Sequence, residues 1–154
     1  MKDLVSFLKN MNHKDPMQKD HVLAVVKPGN DSLIGKLCGI FKENGYTIVK
    51  TKTTRLTLDQ AKQLYKVHAK EDFYSSLCDY MCSGPTTAFI LKKKSDNIFD
   101  EFAKLKDKIR EEYGESDMRN VLHSSDSYKN FTHESQIYFY NVNQEDLLQQ
   151  KRNS

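Results

Sequence analysis

Residues 22–26 (VLAVV) form an apolar run in which no polar residue takes every second place. A half-exposed strand alternates, so a β-branched-rich run like this one suits a strand buried on both faces. The run stops at Lys27-Pro28-Gly29, because proline has no N–H to give a ladder.

The segments that follow supply partners for this strand. Asp31 is the expected N-cap of a helix whose Leu33, Ile34, Leu37, Ile40 and Phe41 share one stripe, and Gly45 is its stop. Residues 46–56, rich in Thr, Val and Ile, read as a strand with one face in water. Thr57 and Gln60 spell a T-x-x-Q capping box that opens a helix through Ala61, Leu64, Tyr65 and His68. A second short helix holds Leu77, Cys78, Tyr80 and Met81 until Ser83-Gly84-Pro85 breaks it. Residues 87–91 read as a third strand. Ile98, Phe99, Phe102, Leu105 and Ile109 mark a further helix, and a short strand near 120–122 closes the sheet.

With the helical insertion at 58–82 set aside, the order is strand, helix, strand, strand, helix, strand. That is the split βαβ pattern of the ferredoxin-like α+β sandwich, a four-stranded antiparallel sheet with helices on one face. Residues 1–20 are expected to be an N-terminal appendage, 21–142 the domain and 143–154 a polar C-terminal tail.

Composition removes several classes of function. No apolar run approaches the roughly 20 residues that span a bilayer, so a membrane role is not expected. A net charge of +3 is too mild to point to nucleic acid, and Lys92-Lys93-Lys94 reads as a solvated strand end. Three cysteines, Cys38, Cys78 and Cys82, are an odd number without the second ligand pair that zinc needs. They favour a reducing cytoplasm, and no signal peptide is expected.

The residues that can carry chemistry are few. Gly29 to Lys36 (GNDSLIGK) fails as a phosphate loop, because five residues separate its glycines and Leu37 follows the lysine. Lys27, at the end of the central strand, is either a solvated terminus or an anion site. Among five histidines, His123 stands apart: it follows the apolar pair Val121-Leu122 and precedes Ser124-Ser125-Asp126-Ser127, so it can be held by hydrogen bonds yet stay reachable. A neutral imidazole is a nucleophile near pH 7 without special activation, provided a carboxylate orients it, and Glu134 lies eleven residues downstream. For phosphoryl transfer the remaining need is positive charge on the phosphate oxygens, which Lys27, Arg110 and a magnesium ion brought by a nucleotide would meet.

Residues 120–127 (NVLHSSDS) resemble the N-x-x-H-G-S-D-S signature of the nucleoside diphosphate kinase family, with Ser124 in place of the glycine. Residues 22–28 (VLAVVKP) are similar to that family's first strand and its lysine-proline, 80–85 (YMCSGP) to its Y-M-x-S-G-P turn, and Ile109-Arg110 to the arginine thirteen residues before the histidine. The resemblance implies a ping-pong transfer of the γ-phosphoryl group from a nucleoside triphosphate to a diphosphate through His123. It further implies that Glu134 orients the imidazole with support from Ser125, that Lys27 and Asn120 contact the sugar hydroxyl or phosphates, and that Tyr65 lies near Lys27 and the histidine. Arg110 would bind phosphate, and Phe73 would stack on the base with Leu77 nearby, although both also fit a plain core. A nucleotide-binding or scaffold module with little turnover is the alternative.

The chain also departs from the pattern. Between Pro85 and His123 there are 37 residues (123 − 85 − 1), several fewer than the family carries. The stretch that would hold the family's helix arginine and loop threonine has no match, and Lys104 or Lys106 would have to replace their charge. Because the shortened loop normally supports trimeric contacts, a homo-oligomer is expected to be a dimer.

Overall fold

The computed structural model describes residues 20–140, with side chains to residue 139, so the expected tail 143–154 and all but the last residue of the leader 1–20 lie outside the described residues. Four strands appear: β1 (His21–Val26), β2 (Thr47–Thr54), β3 (Thr86–Lys92) and β4 (Leu122–Ser124). They pair antiparallel in the order β2-β3-β1-β4. The helices are α1 (Ile34–Glu43), α2 (Leu58–Leu64), α3 (Tyr74–Met81), α4 (Ile98–Tyr113) and α5 (Tyr128–Ser135), the last running on into a wide turn at Gln136–Tyr140. This is the expected α+β, ferredoxin-like arrangement with the helical insertion between β2 and β3.

Coverage of the sheet differs from the expectation of helices on one face. Val22, Ala24 and Val26 of β1 pack with Leu37 and Phe41 of α1 and with Ile98, Phe102 and Ile109 of α4. On the opposite face, Leu23 and Val25 pack with Ala61 and Leu64 of α2, Leu77 and Met81 of α3, and Phe131 of α5. The insertion is therefore the cover of a second core. All six residues of β1 are buried, as the unalternating run demands. Burying a Leu- or Phe-sized side chain contributes about 1.5–3 kcal/mol, so neither core is dispensable.

Local signals explain most element boundaries. At α2 the capping box is complete: Thr57 Oγ1 accepts from Gln60 N–H at 3.1 Å, and Gln60 Oε1 accepts from Thr57 N–H at 2.9 Å. Gly45 takes a φ of +88° beyond the end of α1, a conformation open to glycine. Asp31 is not the N-cap of α1. It opens a 3₁₀ turn, Asp31–Leu33, and the preceding Asn30 turns its amide back to the carbonyls of Lys27 and Pro28 at 3.0 and 3.3 Å. β4 starts at Leu122 rather than residue 120, because Val121 has a φ of +78° and cannot continue an extended strand. His123 thus sits inside β4, opposite Val25. Among the described residues no helix is long and apolar enough to cross a membrane.

Candidate active site

A cleft of about 560 Å³ opens where β4, the end of β1, α4 and the insertion meet. His123 reaches it from the centre of β4. Its Nε2 lies 2.6 Å from Glu134 Oε1, and α5 brings that carboxylate across. The start of α5 is fixed by Ser127, whose Oγ accepts from Asn130 N–H at 3.1 Å. Since a carboxylate only accepts, the ring proton resides on Nε2 and the lone pair is on Nδ1. The Tyr65 ring meets the imidazole edge to face at 5.0 Å and so limits its tilt. The imidazole is one-sixth exposed and the carboxylate less than a tenth.

Lys27 lies beyond the last residue of β1, and Pro28 prevents the ladder from continuing, which frees the side chain to enter the cleft. Its backbone N–H donates to Val121 C=O at 2.8 Å, and its Nζ donates to Asn120 Oδ1 at 2.7 Å and Met118 C=O at 3.1 Å. Asn120 is held in turn by donation from Nδ2 to Asp117 C=O at 2.7 Å. Burial, with the nearby charges of Arg110 and Lys106, pushes the Lys27 ammonium down to about 7. The lysine is therefore a buried group of the cleft wall and not a solvated strand end. Val121, a β-branched residue in the left-handed region, joins Lys27 to β4; such strain persists only where its surroundings enforce it.

Arg110 reaches the same place from α4. Its Nε and Nη2 both donate to Leu122 C=O, at 3.1 and 2.7 Å, and its remaining N–H groups are left for the cleft. Phe73 stands 45% exposed at the mouth, its ring 5.4 Å from that of His68, while Leu77 lies nearly buried against the same cavity. A flat aromatic surface beside a row of cations suits a ligand with a planar ring and an anionic tail.

The site residues expected from sequence converge here with one difference. Ser125 is buried, but its Oγ accepts from Leu23 N–H at 3.0 Å and does not bond Glu134, whose Oε2 has no hydrogen-bond partner. Of the two lysines considered as replacement charge, Lys106 lines the cleft and Lys104 does not; Lys104 borders a separate hollow with Asp96, Asn97 and Asp100. Sequence reasoning missed Val67, His68 and Met118 as cleft residues. An apolar Val67 set between the polar Lys66 and His68 is the signal that could have found the first two, and the side chain is indeed exposed.

Comparison with known proteins agrees with this geometry. The family model described as nucleoside diphosphate kinase matches residues 20–143. The nucleoside diphosphate kinase of Thermoplasma volcanium is 33% identical over 130 residues, covering 78% of this chain and 88% of that protein. That of Chlorobaculum tepidum is 33% identical over 132 residues, covering 78% and 93%. A crystal structure of the Aquifex aeolicus nucleoside diphosphate kinase superposes with a TM-score of 0.67 at 25% identity, over 77% of this chain and 93% of that one. An imidazole aimed by a carboxylate into a cation-lined cleft, on this sheet order and with this extent of similarity, places the chain in the nucleoside diphosphate kinase family.

Proposed function

We propose that the chain transfers the γ-phosphoryl group of a nucleoside triphosphate to a nucleoside diphosphate, in a ping-pong cycle with a phosphohistidine on His123. The observation that carries this reading is the 2.6 Å bond from Nε2 to Glu134, which leaves Nδ1 as the free nitrogen of an imidazole that lines the cleft. In the first half-reaction the Nδ1 lone pair forms the N–P bond, the bridging P–O bond breaks, and the nucleoside diphosphate leaves. Positive charge gathers on the ring as it does so, and the Glu134 carboxylate offsets it. The second half-reaction runs the same steps backwards onto another diphosphate and restores the free imidazole.

The other residues bind and position. Arg110 and Lys27 take phosphate oxygens, with Asn120 fixing the Lys27 ammonium and offering its amide to the sugar or phosphates. Phe73 stacks on the base and Leu77 borders it; stacking accepts any base, which supports broad nucleotide use. Tyr65 restrains the imidazole. Ser125 supports the pair indirectly, because its bond to Leu23 locks β1 beside β4. Among the described residues no cluster of three or more metal-ligating side chains exists. Magnesium would arrive on the nucleotide, where Asp117 and Asp126 of the cleft lining are the carboxylates that could meet it and the ion would neutralise phosphate charge.

Three free thiols fit a reducing cytoplasm. The reading is tested by initial rates with ATP and GDP varied together. Parallel double-reciprocal lines are expected; intersecting lines would exclude a phosphoenzyme cycle.

A further inference from the structure

Lys106 stands one turn before Arg110 on α4, so both side chains occupy one flank of the helix, and both line the cleft that holds His123. Like charges at that spacing repel, and Lys27 adds a third cation from the end of β1. Burial and the neighbouring Arg110 hold the Lys106 ammonium below the ordinary lysine range.

Among the described residues no carboxylate forms a salt bridge with any of the three. The salt bridge of a lysine or arginine among the described residues is Lys93–Glu101, so none of the three belongs to one. Three carboxylates act on Lys106 through space, Asp107, Asp126 and Glu134, and none pairs with it: Glu134 is hydrogen-bonded to His123, Asp126 accepts from Asn130 Nδ2 at 2.6 Å, and Asp107, its exposed neighbour on α4, lies outside the cleft lining. Lys27 and Arg110 commit part of their donors to Asn120, Met118 and Leu122. Among the described residues no hydrogen bond engages the Lys106 ammonium. Three basic groups converging without a salt bridge disfavour one another's charged forms, and a polyanion in the cleft would offset that repulsion.

We infer that Lys106 is a phosphate-binding residue of this chain, adding its ammonium to those of Lys27 and the Arg110 guanidinium on the polyphosphate of a nucleotide lying beside His123. This rests on the nucleotide reading of the cleft. Lys104, two residues away, is exposed beside Asp96 and Asp100 and serves as the control.

The test is calorimetric binding of inorganic tripolyphosphate and of magnesium-ADP to the unmodified chain and to Lys106→Gln, Lys106→Arg and Lys104→Gln. Lys106→Gln weakens both ligands at least about tenfold, Lys106→Arg stays within about threefold, and Lys104→Gln within about twofold. The melting temperature of ligand-free Lys106→Gln equals or exceeds that of the unmodified chain, since one repelling charge is gone; a lysine with only a structural role would lower it. Equal affinities for Lys106→Gln and the unmodified chain would overturn the inference, and so would failure of the unmodified chain to bind tripolyphosphate. The unmodified chain is also treated with γ-labelled ATP and magnesium. Lys106-dependent binding without label on His123 would sink the catalytic reading and leave the phosphate role standing.

Discussion

At His123 the deciding quantity is which ring nitrogen is occupied. Glu134 takes Nε2, so Glu134→Ala should lower kcat by roughly 10–100-fold through loss of tautomer and aim, with little change in KM, as steady-state kinetics will show. If Arg110 binds phosphate as proposed, Arg110→Ala should raise the nucleotide KM more than tenfold. Because its guanidinium also grips Leu122 C=O beside the nucleophile, Arg110→Lys should recover only part of that loss. Lys27, held down to about 7, is largely neutral in the free protein above that pH, whereas a bound phosphate favours its charged form. Magnesium-ADP binding should then weaken between pH 7.5 and 9, approaching tenfold per unit, and Lys27→Arg should flatten the profile in calorimetry. The same shift sets the sign for stability. The folded pKa lies below the unfolded one, so the burden of burying this charge is fullest below pH 7 and fades as pH rises toward the ordinary lysine range. His123, Glu134, Lys27 and Arg110 were legible in the sequence because each residue type at that place has a chemical reason. Lys106 was legible only as one of two lysines, since nothing local says which flank of a helix meets a cleft formed by distant strands.

Among the elements, α2 has the clearest local code. Thr57→Ala removes one half of a complete capping box and should cost about 1 kcal/mol in urea unfolding, without changing the slope of the transition. β4 is the opposite case. A Val121 φ of +78° contradicts the preference of a β-branched residue, and it persists because its carbonyl takes the Lys27 N–H while its side chain lies in the core. That tertiary override shifted the start of the strand by two residues and could not be read locally. Asp31 misled for a related reason: an acidic residue before an apolar stripe reads as a cap, but Asn30 and a 3₁₀ turn bring the chain into α1. The long helix α4 carries both Lys106 and Arg110 to the site in one piece, which ties phosphate recognition to the packing of Phe102 and Ile109 beneath it.

For the whole molecule, the unalternating run at 22–26 already required cover on both faces, and the insertion at 58–82 supplies it while also delivering Tyr65, Phe73 and Leu77 to the cleft. The order of strands and helices placed the insertion within the domain but did not say that it covers the second face of the sheet. The assembly expected for the shortened chain is a homodimer, so light scattering on the eluting protein should return about twice the chain mass of 17.9 kDa. A monomer or trimer would reject that assignment without touching the chemistry. The central claim, that His123 itself carries phosphorus, is tested most directly by incubating the protein with γ-labelled ATP and magnesium and following the label. The account predicts an acid-labile, alkali-stable label that is absent from His123→Ala and is discharged by GDP into GTP. Unlabelled native protein, or label that survives in His123→Ala, would contradict it.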